Sequence, residues 1–163
     1  MALNIFVSYS TKDLHRVADL QSQLRGTPIS VYVAQDSMPS GAEVSSAIRD
    51  AISQCDLFVL LWSENARASE WVLQEVGHAR ALNKSILPIV LTEGARLPES
   101  LSNLNFISVA AQPSDAMRLA RDQIYAEYEK KRDYLAAQAR AQEEKDNLAK
   151  LAVAGFLLWV FTR

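Results

Sequence analysis

The chain is predicted to be an α/β fold in which helices cover both faces of a doubly wound parallel sheet, and three observations predict it. Short uncharged apolar runs recur along the first two thirds of the chain. Segments with apolar residues at helical spacing separate these runs, and turn-forming residues mark each change. Strands that alternate with helices in this way build parallel sheets.

Residues 4–9 form an apolar run ending in turn formers, the pattern of a strand buried on both faces. Ser10 and Asp13 have capping-box spacing, and Leu14, Val17, Leu20 and Leu24 then recur as a helix until Gly26 and Pro28 stop it. Residues 29–33 are β-branched and aromatic, a second strand. Residues 34–42 are rich in Asp, Ser, Pro and Gly, a loop. Ser40 and Glu43 repeat the capping spacing, and Val44, Ile48, Ala51, Ile52 and Cys55 mark one face of a second helix. Residues 56–62 read as a third buried strand. Trp71, Val72, Val76 and Ala79 pattern a third helix reaching Asn83. Residues 85–91 are a fourth strand, in which Pro88 requires a place where no ladder donor is needed. A last short strand is expected at 106–109.

Beyond residue 113 neither glycine nor proline occurs up to Lys150, and Met117, Ala120, Ile124, Tyr128, Leu135 and Ala139 form a thin apolar stripe, predicting one long helix. The acids and bases between residues 127 and 133 balance, as on a solvated or coiled-coil face. Residues 151–161 carry no charge but are too few to cross a bilayer, which takes roughly 17 to 25 apolar residues. The expected organisation is a domain over 1–112, a charged helix over 113–150 and an apolar segment over 151–163.

Composition narrows the function classes. The chain has 163 residues, 49% of them hydrophobic, and a net charge of -2, so nothing draws in nucleic acid over long range. Cys55 is the one cysteine, which rules out an intrachain disulfide and suits a reducing compartment. The start of the chain lacks the basic flank of a signal peptide. A cytoplasmic protein is expected, with residues 151–163 packed on the body of the chain or paired with the same segment of a partner, and membrane association through them as the alternative.

Gly26, Gly41, Gly77, Gly94 and Gly155 are too far apart for a dinucleotide fingerprint or a phosphate loop, and neither His15 nor His78 lies in a zinc-peptidase motif. No metal is implied. A phosphate-accepting receiver domain shares this architecture but needs acids at the end of its first strand, where this chain has Ser8, Tyr9 and Ser10. In doubly wound sheets ligands bind beyond the carboxyl ends of the strands, which here gathers residues 9–11, 36–41 and 63–71.

Four groups of residues then carry a resemblance: Ile5, Phe6, Val7, Ser8, Tyr9 and Ser10 with Asp13; Asp36, Pro39 and Gly41; Ser69, Trp71, Val72 and Glu75; and Leu87, Pro88 and Ile89. In this order and spacing they resemble the successive boxes of the Toll/interleukin-1 receptor (TIR) domain family, over about residues 1–112. The resemblance implies a five-stranded flavodoxin-like sheet and one of two roles, an NAD-consuming enzyme of the bacterial type or a scaffolding adaptor.

For the enzyme, the resemblance makes Glu75 the catalytic carboxylate and Tyr9, Ser10, Thr11, Asp36, Ser69 and Trp71 the substrate-binding residues. NAD is the substrate, cleaved between nicotinamide and ribose by a glycohydrolase or cyclase in immune or stress signalling, with no further cofactor and no metal. Self-association through TIR surfaces and the loop from Asp36 to Gly41 is implied, as is an effector that reads the nucleotide product. Ser10 and Thr11 stand where some enzymatic relatives carry basic residues, leaving Lys12 nearby; Gln35 and the extra Ser40 also depart from the common loop pattern.

Each residue has a second reading. Trp71 suits the core as well as a pocket wall, Ser69 a helix cap, and Asp36 a local turn. A mid-helix glutamate is ordinarily solvated, so that replacing Glu75 would shift stability by only about 0.5 kcal/mol. His15 and His78 read as surface histidines and Cys55 as a small core residue.

Overall fold

The computed structural model describes residues 1–33, 42–111 and 115–161, with the side chains of 42–45 and 160 excepted. Among these residues five strands, β1 (Leu3–Ser8), β2 (Ile29–Val33), β3 (Leu57–Trp62), β4 (Ser85–Val90) and β5 (Ile107–Ser108), form one sheet in the order β2-β1-β3-β4-β5. All four pairings are parallel. This is the flavodoxin-like order, in which the chain reverses its winding between β1 and β3. The helices are α1 (Leu14–Leu24), α2 (Ala42–Gln54), α3 (Glu64–Arg67), α4 (Glu70–Ala81) and α5 (Ala116–Phe161).

Side chains alternate across each strand, so one sequence fills two cores. Leu3, Ile5, Val7 and Tyr9 join Leu57, Val59, Leu61 and Ile89 on the face covered by α1 and the start of α5. Phe6, Phe58, Leu60 and Trp62 face the other way, under Ile48 and Ile52 of α2 and Val72 and Val76 of α4. On that second face Phe6 stacks between its cross-strand neighbours Tyr32 and Phe58, with centroids 5.4 Å from each. Every residue of β3 is buried, as its unbroken apolar run requires.

Pro88 sits within β4 without costing a hydrogen bond to β3. Leu91 N–H donates to the Trp62 carbonyl, whereas the Val90 carbonyl accepts from Val109 N–H, so successive β4 residues face β3 and β5 in turn. Counting back two residues from Val90 turns Pro88 toward the β5 side, ahead of the point where β5 begins pairing at Ile107.

Several local expectations are corrected. Ser10 makes no side-chain capping bond; a 3-10 turn at Thr11–Asp13 precedes α1 instead. The Ser40–Glu43 cap and the loop from Asp36 to Gly41 lie outside the described residues. The third expected helix is α4, which ends at Ala81 rather than Asn83, and it is preceded by an unexpected one-turn α3, which Ser63 Oγ starts by accepting from Ala66 N–H and which is too short to show a period. The last strand is confined to Ile107–Ser108, and Phe106 is exposed.

α4 ends in a Schellman turn: Lys84 N–H donates to the Ala79 carbonyl and Asn83 N–H to that of Arg80, with Asn83 at φ 52°. That turn delivers Lys84 to the end of α2, where its Nζ donates to the carbonyls of Ser53 at 2.5 Å and Cys55 at 2.9 Å. A cation there meets both orphan carbonyls and the negative end of the helix dipole.

By internal contacts the chain divides into two units, Met1–Tyr128 and Glu129–Arg163. In the first, Ala116, Ala120 and Ile124 of α5 are buried in the α1-side core. In the second, the expected stripe does not continue as a buried face: Leu135 and Ala139 are exposed.

Cys55 is buried and its Sγ donates to the Ile52 carbonyl, as a small core residue does. Burial raises its pKa above the ordinary thiol value, with Asp56 adding to the rise and Lys84 opposing it. A raised folded-state pKa stabilises the fold fully below the unfolded thiol's value, about 8.5, and the contribution is lost as pH rises through the folded value. Urea unfolding should show stability falling on this alkaline side, less so in Cys55→Ala. Lys84→Met should lower stability by about 1 kcal/mol at pH 7 without changing the denaturant slope.

Candidate functional site

The buried polar side chains among the described residues are Ser8, Ser10, Asp13, Ser63 and Glu75. They gather at the carboxyl ends of β1 and β3, the reversal point of the sheet. Polar groups withdrawn from water need partners, and two sets of hydrogen bonds supply them. Asp13 accepts from Ser63 Oγ at 2.5 Å and from Asn65 Nδ2 at 3.2 Å, which ties the β1–α1 turn to the start of α3. The Asp13 predicted to cap a helix is thus a cross-strand clasp.

The second set holds Glu75. Ser8 lies on the same face of β1 as Phe6, toward α4, and its hydroxyl donates to Glu75 Oε2 at 2.5 Å. Glu75 is 4% exposed, which corrects the expectation of a solvated helix residue. It nevertheless contributes to the wall of a cleft of about 180 Å³ between α2 and α4, with Ile48, Arg49 and Ile52 on one side and Trp71, Gln74 and His78 on the other. Trp71 stands one turn before Glu75 on the same helical face and also packs on the α4-side core, so the two readings of Trp71 hold together. Its indole N–H is buried and has no hydrogen-bond partner among the described residues.

The remaining predicted residues are placed differently. Tyr9 is buried in the α1-side core, on the opposite face of the sheet from Glu75. Ser10 is buried and its carbonyl accepts from Asp13 N–H, while Thr11 is exposed. Ser69 is the N-cap of α4, its hydroxyl accepting from Val72 N–H at 3.3 Å. Asp36 lies outside the described residues. Sequence reasoning missed Ser8 and Arg49, which the fold brings to the carboxylate and its cleft, and gave no role to a third residue of the site, His78. The last was readable, since positions three apart on a helix share a face; the other two come from different elements.

The arrangement is a buried carboxylate fixed by a hydroxyl donor, flanked by an indole and opening on a small, partly apolar cleft with an arginine and a histidine at its wall. It can stabilise positive charge on a ligand atom brought against it. Among the described residues no three His, Cys, Asp or Glu side chains come together to hold a metal ion.

The TIR domain family model matches residues 5–124, and the chain belongs to that family. Its fold is similar to the TIR domain of the Toll-related receptor TRR-2 from Hydra magnipapillata, at 18% identity and TM-score 0.60, over 74% of this chain and 97% of that one. The TIR domains of the activated Roq1 resistosome, which recognises the pathogen effector XopQ, align at 15% identity and TM-score 0.60, over 78% and 99%. The CMP N-glycosidase BcmB of Clostridium botulinum aligns at 21% identity and TM-score 0.54, over 72% and 98%. Among curated proteins no sequence matches significantly.

The Ser8 bond gives a direct test of how the carboxylate is held. Ser8→Ala removes a buried donor from Glu75 and should cost about 1–3 kcal/mol in urea unfolding. Ser8→Thr, which keeps the hydroxyl, should recover part of that loss.

Proposed function

We propose that this TIR domain cleaves the bond between nicotinamide and ribose in NAD, as a glycohydrolase or a cyclase, with Glu75 as the catalytic carboxylate. The observation that carries the reading is Glu75 itself, a buried carboxylate braced by Ser8 that lines a cleft beside Trp71. A carboxylate withdrawn from water in mid-helix is uncommon, and such groups concentrate at functional sites.

The chemistry asks for one anion and no acid. Nicotinamide is already cationic and leaves as a neutral base with the bonding electron pair, so positive charge develops on C1′ of the ribose. Glu75 opposes that oxocarbenium charge, in a site where low dielectric strengthens the interaction. Water then adds to C1′ and loses a proton, giving ADP-ribose, or a nucleophile of the same nucleotide closes a ring. Neither a metal nor a second cofactor enters.

A cleft of about 180 Å³ is smaller than the roughly 300 Å³ at which drug-sized sites begin, so it takes one end of the dinucleotide. Trp71 would lie against the nicotinamide, with the phosphates left to Arg49 and to residues beyond the cleft. This agrees with a site completed by self-association, in which the loop from Asp36 to Gly41 serves a neighbour. Sharing a fold with an N-glycosidase of a nucleotide is compatible with the bond class. The adaptor role is the competing reading.

Purified full chain should release nicotinamide from NAD, measured by chromatography over a range of protein concentrations. Glu75→Gln keeps an acceptor for Ser8 and should retain its melting temperature while losing about 10²–10³-fold in rate. A folded Glu75→Gln protein with full activity excludes Glu75 as the catalytic group. A wild-type chain inactive at every concentration, assembled or not, assigns the domain to the adaptor role.

A further inference from the structure

The unit Glu129–Arg163 ends in three helical turns unlike the rest of α5. No residue from 151 to 161 has a polar group other than the indole N–H of Trp159. Leu151, Val153, Phe156, Leu158, Trp159 and Phe161 are each more than half exposed, Phe161 at 84%. At 3.6 residues per turn, the directions of these six side chains leave no gap around the axis wider than about 80°.

That distribution decides what covers them. A helix that packs on one neighbour needs an apolar stripe of about 100° and is polar elsewhere. The start of α5 is built so, with Ala116, Ala120 and Ile124 buried along one side. Residues 151–161 are apolar all round, and a second helix laid against them would leave most of their circumference in water. A surrounding apolar medium is required.

Length and flanking charge define the medium further. Eleven residues rise about 16 Å, near half of a ~30 Å hydrocarbon core, and no helix among the described residues is long and apolar enough to cross a membrane. Lys150 precedes the segment and Arg163 follows it. Upright insertion would carry the arginine toward the bilayer midplane, where a charge is strongly disfavoured. A helix sunk within one leaflet and lying near its plane lets both cations extend to the same headgroup layer. We propose that residues 151–161 are a monotopic anchor embedded in one leaflet of a lipid bilayer.

The attraction is hydrophobic. Arg140, Lys145 and Lys150 are balanced by Glu143, Glu144 and Asp146, so no basic patch recruits anionic lipid. Binding therefore needs neither anionic headgroups nor low salt.

Full chain mixed with phosphatidylcholine vesicles should float with them at both low and high salt. Bromine near the headgroup end of the acyl chains should quench tryptophan fluorescence more than bromine at the tail end, and Trp159→Phe should abolish the quenching. Replacing Phe156, Leu158 and Phe161 together by Glu should weaken partitioning by roughly a hundredfold or more, with thermal unfolding unchanged. Failure of the full chain to float, or flotation of the triple variant, overturns the proposal. If the unfloated chain is an oligomer by light scattering and the same substitutions dissociate it, the segment is covered by other copies of itself.

Discussion

β1 and β3 lie in the middle of a sheet covered by helices on both sides, and most of the architecture follows from that position. From Ile5 onward β1 is wholly buried, as is all of β3, so polar side chains are tolerated only toward the strand ends. Ser8 closes β1 and Ser63 follows β3, and each finds a carboxylate: Glu75 for one, Asp13 for the other. The two bonds join elements far apart in sequence at the point where the sheet reverses its winding. A buried polar group left without its partner costs about 1–3 kcal/mol, so these ends are specified as firmly as any apolar contact in the core.

The same alternation divides the molecule by role. Among the described residues, the buried core under α1 and α5 is aliphatic apart from Tyr9. The face under α2 and α4 holds the aromatic stack of Phe6, Tyr32 and Phe58, and beyond it the Glu75 cleft. Lys84 fastens the end of α2 directly after the turn that closes α4. The helices that wall the cleft are thus linked at their carboxyl-terminal ends by one side chain.

The fold was legible because each strand is a short apolar run and each helix has its period, so element type and order could be read. Boundaries failed where a hydrogen bond from another element decided them. Asp13 turns away from its own helix to bonds with Ser63 and Asn65 that no local pattern encodes, whereas α3, capped locally by Ser63, is too short to show a period. At the site, Trp71 and Glu75 could be paired because four residues make about one turn. Tyr9 could have been separated from them by the strand period, since it adjoins Ser8 and must point to the opposite face. Ser8 and Arg49 reach Glu75 and its cleft through the sheet topology, which no spacing within one segment encodes.

The sheet's two margins are unequal. β5 presents two residues of outer backbone, about 7 Å, and Pro88 leaves its neighbour without an amide donor on that side. β2 presents five, about 17 Å, with Ser30 and Tyr32 exposed along it. A ribbon in which every copy joins the β5 margin of one neighbour to the β2 margin of the next would rest on too little backbone to hold. Among the described residues, continuous-sheet association is left to β2 meeting β2. A two-fold axis between identical strands makes that pairing antiparallel and ends it at two copies. Larger assemblies of this domain must grow through helices and loops.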